Sequence, residues 1–229
     1  QEVLAGGAAV LCAVFDVLGV SEMRTARGAL RVGVLYDLLG RRESRDLRDA
    51  TVDRLQERFG VDRRQAQRVG TLAAQLYARL APAAPDEMAK RLAWAASLHE
   101  VGFAISHNDY HKHGAYLVQH GDLAGFSTSD QERIALLILA QRGNLKKVAS
   151  VLDDADRAAK ILALRLAVVL CHARRDVALP AWSLHSVRGA IELELAGDWL
   201  GRHPLTEYLL QEEAAQWDKV GVRFSVRAL

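Results

Sequence analysis

The apolar residues of this chain keep a helical spacing from its start to about residue 176, then change to strand-like alternation after Pro180. Residues three or four apart share a helix face and residues two apart share a strand face, so this change separates two kinds of structure. Upstream, the apolar stretches end on stop signals. Ala8 to Leu18 ends at Gly19, and Ala29 to Leu39 at Gly40. Ser44 to Phe59, with Leu47, Val52, Leu55 and Phe59 turned inward, ends at Gly60. Between the first two, Ser21 to Ala26 is short and reads as extended. Asp62 and Gln65 have capping-box spacing at the head of a helix that runs to about Leu80. Pro82 and Pro85 mark a connector, and Asp86 opens a helix with a buried Ala/Leu/Trp face leading into His99.

The spacing predicts a helix from Tyr110 to Gln119, stopped by Gly121. Ser129 and Glu132 read as a second capping box, for a helix reaching Gln141. Leu145 to Leu152 reads as a short helix and Asp156 to Arg174 as a long one. After Pro180, three sets recur between polar residues: Trp182, Leu184 and Val187; Ile191, Leu193 and Leu195; Val222, Phe224 and Val226. These are strand patterns. Leu205 to Trp217 is helical, with Pro204 near its first turn. The expected fold class is therefore mainly α: a helical body followed by a small α+β C-terminal unit of three strands and one helix.

A length of 229 residues allows one large domain or two small ones, and an apolar half suffices for a core. The net charge of +2 argues against a general nucleic-acid binder. Arginines crowd the first part of the chain, at Arg24, Arg27, Arg31, Arg41, Arg42, Arg45 and Arg48. Such a set fits solvated helix faces paired with acids, and also fits contact with phosphate or carboxylate. Cys12 and Cys171 lie in apolar runs and read as small core hydrophobes in a reducing compartment. No apolar run is long enough for a membrane span, and no basic leader with a cleavage site is seen, so the expected location is cytoplasmic. The chain opens without Met, in what reads as running sequence, and is expected to be a piece of a longer protein.

Histidine is the unusual residue. None of the eight lies before His99, and His99, His107, His111, His113 and His120 crowd into a short stretch. Leu98-His99-Glu100-Val101-Gly102, Ile105-Ser106-His107, Tyr110 to Tyr116 and Asp122 to Phe126 resemble the C-terminal region of the exopolyphosphatase and guanosine pentaphosphate phosphohydrolase (Ppx/GppA) family. Gly6-Gly7, Val14-Phe15, Met23-Arg24 and Gly28 to Asp37 are similar to the last helices of that family's phosphatase domain. The resemblance runs from about residue 5 to about residue 175.

It implies residues 1–40 as a remnant of the last helices of the actin-like phosphatase domain. Residues 41–176 would be an HD-phosphohydrolase-like helical domain, and 177–229 the α+β unit. It also implies that catalysis and its magnesium belong to two N-terminal domains largely missing from this chain, which alone would be inactive. HD enzymes hold their metal with an early His, a His-Asp pair and a late Asp. Here His99-Glu100 stands at the pair, the helix from Asp62 to Leu80 has no histidine, and the stretch between Arg157 and His172 has no acid. A usable site needs about three protein ligands, so no metal is expected on this degenerate pair. Gln141 stands before Arg142 where the family usually has a histidine.

The resemblance implies the substrate-guiding, dimerising portion of an exopolyphosphatase that removes terminal phosphate from inorganic polyphosphate. The alternatives are the corresponding portion of a pppGpp 5'-phosphohydrolase, a degenerate HD-type metallophosphohydrolase, and a helical interaction module. Polyphosphate calls for a line of N–H donors and cations with no base recognition. The candidates are His107, His111, Lys112 and His113, with Arg142, Lys146 and Lys147 on a following segment. The competing reading is structural, with His99 and His107 buried and hydrogen-bonded. His111 and His113 would face differently on a helix, whereas in a loop both could point inward. A homodimer is expected, with no nucleic-acid partner and no membrane span.

Overall fold

The computed structural model describes residues 2–22, 46–176, 179–187 and 190–228. The expected helix from Ala29 to Leu39 lies outside these, as does most of the expected extended stretch. The chain divides into two compact units, Gln1–Leu35 and Tyr36–Leu229. The first contains α1 (Glu2–Leu18), which Gly19 ends with a positive φ of 62°. Its apolar residues Val10, Leu11, Val14, Val17 and Leu18 are exposed. So is Cys12, which corrects its expected core position.

The second unit begins its described part with α2 (Leu47–Arg58), α3 (Arg63–Leu80) and α4 (Asp86–Ser97). Asp46 caps α2 by accepting from the Arg48 N–H. Asp62 caps α3, accepting from the Gln65 N–H at 3.0 Å as the spacing predicts. A 3-10 turn, Val101–Ala104, leads to α5 (Tyr110–His120). The next helix, α6 (Thr128–Ala140), starts earlier than predicted. Its cap is Ser127, not Ser129. The Ser127 hydroxyl accepts from the Asp130 N–H and donates to the Asp130 carboxylate, at 3.1 and 2.8 Å. Leu145–Val151 is a 3-10 turn, and α7 (Ala155–Leu170) stops short of the predicted Arg174. Arg174 adopts a positive φ of 53° and leaves the helical path.

α3 packs against both α4 and α7, while α6 packs against α4 and α5. Leu76, Leu92, Ile134, Ile138, Ile161, Leu162, Leu164 and Leu166 are fully enclosed. Each such burial contributes about 1.5–3 kcal/mol, which is why these faces rather than helix propensity hold the body together.

The C-terminal part contains β1 (Trp182–Val187), β2 (Ala190–Leu195), α8 (Pro204–Asp218) and β3 (Arg223–Ala228). Strand order is β1-β2-β3, with β1 and β2 antiparallel, β2 and β3 parallel, and α8 making the crossover. Pro204 occupies the first turn of α8, as its fixed φ favours. Leu184, Leu193, Phe224 and Trp217 join the same core as the helices. α8 lies against α7 and β1 against α3, which sets α8 beside the histidine-rich segment. Among the described residues, no helix is long and apolar enough to cross a membrane.

Candidate functional site

The segment from Leu98 to Asp109 turns from the end of α4 into α5, and its tight course depends on Gly102. A Cβ there would lie 1.9 Å from the Tyr110 carbonyl oxygen and 2.6 Å from the Gly114 nitrogen. This contact sets the first turn of α5, and with it His111, against the 140–147 loop. Asp109 takes a left-handed φ of 56° before the helix and spends its carboxylate on Lys112, at 2.9 Å.

Four of the predicted groups gather here. His111 is buried, and Gly143 (φ 76°) packs over its ring and over the Lys147 ammonium; a Cβ on Gly143 would lie 3.7 Å from His111 Nε2 and 3.6 Å from Lys147 Nζ. Lys147 is exposed, and its ammonium donates to the Arg142 carbonyl at 2.6 Å. Burial of that ammonium, then the positive charges of Arg165 and Lys112, pushes its pKa down to about 8. The Arg142 guanidinium lies over the Tyr110 ring, 5.6 Å from its centre. Burial, then Lys147 among the nearby charges, pushes His111 down to about 4. At neutral pH His111 is therefore a neutral ring, and its buried Nδ1 has no partner among the described residues. The cations here are Arg142, Lys112 and Lys147.

The other candidates are placed differently. His107 is exposed, with its ring 4.9 Å from that of Phe103, which corrects the reading of it as buried. The Phe103 ring already covers Tyr110, at 4.2 Å, and leaves His107 the outer side. His113 is half-buried on α5, on a different side from His111. Lys146 is exposed, and its backbone N–H goes to the Asn144 side chain at 2.8 Å.

His99 and Glu100 sit deeper, 1% and 7% exposed. His99 Nδ1–H donates to the Ala96 carbonyl at 2.7 Å, leaving the Nε2 lone pair 3.8 Å from Glu100 Oε1. Burial pushes the His99 pKa down. Glu100 is taken by Arg174, whose Nη1 and Nη2 donate to its two oxygens at 2.5 and 3.0 Å. The same guanidinium reaches the Asp62 cap at 3.0 Å. A fixed positive charge thus stands beside the pair, where a metal would need the carboxylate. Gln141 is buried. Its Nε2 donates to the His99 carbonyl at 2.6 Å, while its Oε1 has no partner among the described residues.

Two arginines that sequence reasoning passed over organise the site. Arg165 is a single charge inside the apolar run of α7. It donates to the Ala140 and Gly143 carbonyls, at 2.6 and 3.0 Å, and pairs through two nitrogens with the buried Glu213 of α8. It therefore holds the loop carrying Arg142 and Gly143. A lone arginine within the apolar run from Ile161 to Leu170 was the available signal. Arg174 carried no comparable signal, because its partners lie 74 and 112 positions away. Between these groups and α8 lies a cavity of about 620 Å³, lined by His99, Glu100, Tyr110, Arg142, Tyr208 and Lys219 among others. Its lining mixes the cations Arg142, Arg174 and Lys219 and the amides of Gln65 and Gln141 with the carboxylates of Glu100, Glu212 and Glu213, around aromatic walls.

Residues 47–214 match the family described as Ppx/GppA phosphatase, domain III. The chain belongs to the Ppx/GppA phosphatase family. It is similar to a protein named guanosine-5'-triphosphate,3'-diphosphate pyrophosphatase from Pseudoalteromonas translucida (strain TAC 125), with 34% identity across 98% of this chain. A protein of the same name from Aeromonas hydrophila subsp. hydrophila is 34% identical across 96% of it. The chain spans 46% of the length of each. The matched region takes in the helical body and most of α8, and with them all of the cavity lining except Gln216 and Lys219.

Proposed function

We propose that this chain is the substrate-guiding half of a Ppx/GppA-family phosphohydrolase, that it contacts inorganic polyphosphate, and that it works in a homodimer. The observation that carries the reading is the meeting of Arg142, Lys112 and Lys147 beside the neutral His111 ring. A desolvated ammonium with a lowered pKa, next to other cations, gains more from a phosphate than a solvated one does. The magnesium that the resemblance implies for the whole protein would be held by residues outside this chain. We further read the helical body as an HD-type scaffold whose metal pair has been closed by Arg174, with no catalytic role of its own.

Long-chain polyphosphate should bind the 229-residue chain weakly, with affinity falling steeply as salt rises. Arg142→Ala and Lys147→Ala should each weaken binding by about 1–2 kcal/mol and flatten the salt dependence, with the helical circular dichroism unchanged. Equal binding by parent and both variants would remove the reading. The names of the two relatives favour a second reading, in which the phosphate chain belongs to a guanosine pentaphosphate. Competition separates the two: pppGpp should displace polyphosphate at concentrations where triphosphate alone does not, only if the second holds.

A further inference from the structure

We propose that the outer face of the β1–β2 hairpin is a zinc site formed by His185, Glu192 and Glu194. The register builds it. β1 and β2 pair with His185 opposite Glu192 and Ser183 opposite Glu194, so the four side chains form a two-by-two patch on the face away from Leu184 and Leu193. All three potential ligands are half-buried, and their ligand atoms lie within 4.8 Å of one another. Around a tetrahedral zinc, ligand atoms about 2.0–2.2 Å from the ion are roughly 3.5 Å apart, so small side-chain rotations of about 1 Å close the set.

The surrounding groups prepare it. The Ser183 hydroxyl donates to Glu194 Oε2 at 2.7 Å and faces His185 Nδ1 at 3.3 Å. With that hydroxyl proton committed to Glu194, His185 Nδ1–H becomes the donor to Ser183, and the Nε2 lone pair is left for a metal. A hydrogen bond that fixes the tautomer in this way is the usual support of a metal-bound imidazole. On the same face β3 contributes Ser225, Arg223 and Arg227, and Arg227 Nη2 lies 3.4 Å from Glu192 Oε1. Arg227 is largely exposed and can swing into water when a divalent ion takes the carboxylate.

The donor set chooses the ion. One imidazole and two carboxylates, with a fourth position for water, suit zinc. Magnesium asks for six oxygens in strict octahedral array and gains little from imidazole. Bound there, the ion joins edge strand β1 to central strand β2 and raises the stability of the C-terminal unit, since it binds the folded sheet alone. The site is separate from the cavity beside α8 and does not depend on the function proposed above.

The test titrates the full chain, dialysed against chelator, with zinc in competition against a chromophoric zinc indicator. One equivalent should bind, and Co2+ in its place should give the intense visible bands of tetrahedral coordination. His185→Ala, Glu192→Gln and Glu194→Gln should each weaken zinc by at least ~10-fold. Arg227→Gln should tighten it by freeing Glu192, and His120→Ala should leave it unchanged. Circular dichroism of each variant checks that the sheet persists. No zinc binding by the parent, or parent-like binding by His185→Ala, overturns the proposal. Loss in His185→Ala with retention in both glutamate variants overturns the three-ligand set.

Discussion

His111 shows how one side chain can belong to a site and still oppose the charge of that site. Its imidazole is enclosed and faces Lys147, Lys112 and Arg142, so the folded protein resists protonating it until about pH 4. In the unfolded chain the ring takes its proton near 6.5. The unfolded state therefore binds more protons between these values, and stability falls as pH drops from about 6.5 to about 4. His99, held neutral by burial, acts in the same direction. Urea unfolding at a series of pH values should show this slope, and His111→Gln should remove roughly 1–2 kcal/mol of the change across the window. A slope identical in the variant would assign the effect to other groups. Lys147 acts at the opposite end. Its pKa is about 8 when folded, against an ordinary 10.5, so stability rises with pH through that interval as the buried charge is discharged. A phosphate bound beside Lys147 would reverse that cost.

The elements were legible where a local signal decided them and illegible where a distant partner did. Gly102→Ala tests the decisive element contact. Its Cβ would meet the backbone at Tyr110 and Gly114, so the 3-10 turn and α5 must move apart. We expect a loss of about 3 kcal/mol in urea unfolding, together with weaker polyphosphate binding as His111 shifts. Gly70→Ala is the counterpart: its Cβ meets the Ala96 Cβ at an ordinary 3.7 Å, inside α3. That change should be neutral or stabilise by about 0.5–1 kcal/mol, and equal losses in the two variants would sink the distinction. The Asp62–Gln65 cap, the Gly19 stop and the strand alternation after Pro180 could be read from neighbours in sequence. The start of α6 was misplaced by two residues: its cap is Ser127, whose hydroxyl accepts from the Asp130 N–H, and Ser129 already lies inside the helix. The end of α7 was hidden because Arg174 leaves the helix to satisfy Glu100 and Asp62, residues far off in the chain. The histidine cluster stood out by composition alone, yet the ion pairs around it, Arg165 with Glu213 and Arg174 with Glu100, become visible only once α7, α8 and the His99 turn lie side by side.

As a whole, the chain spans 46% of the length of the two curated relatives it matches. Hydrolysis of a phosphoanhydride needs a positioned water and a cation on the leaving oxygens. The only adjacent histidine–carboxylate pair of the described helical body, His99 and Glu100, is committed elsewhere. One imidazole nitrogen donates to Ala96, and both Glu100 oxygens accept from Arg174. The guanidinium supplies charge neutralisation that a metal would otherwise give, but it has no open position for water. Removing it should not recover a metal site, because the helix from Arg63 to Leu80 brings no histidine and α7 brings no carboxylate after Asp156. Arg174→Ala should instead leave Glu100 buried without its cation and cost about 3 kcal/mol or more in unfolding free energy. Phosphate release by the purified chain, from polyphosphate or from pppGpp, should stay at the level of buffer with Mg2+ or Mn2+, for the parent and for Arg174→Ala alike. Metal-dependent release by the parent that vanished in His99→Ala would refute this, since it would require the pair to bind metal despite the guanidinium.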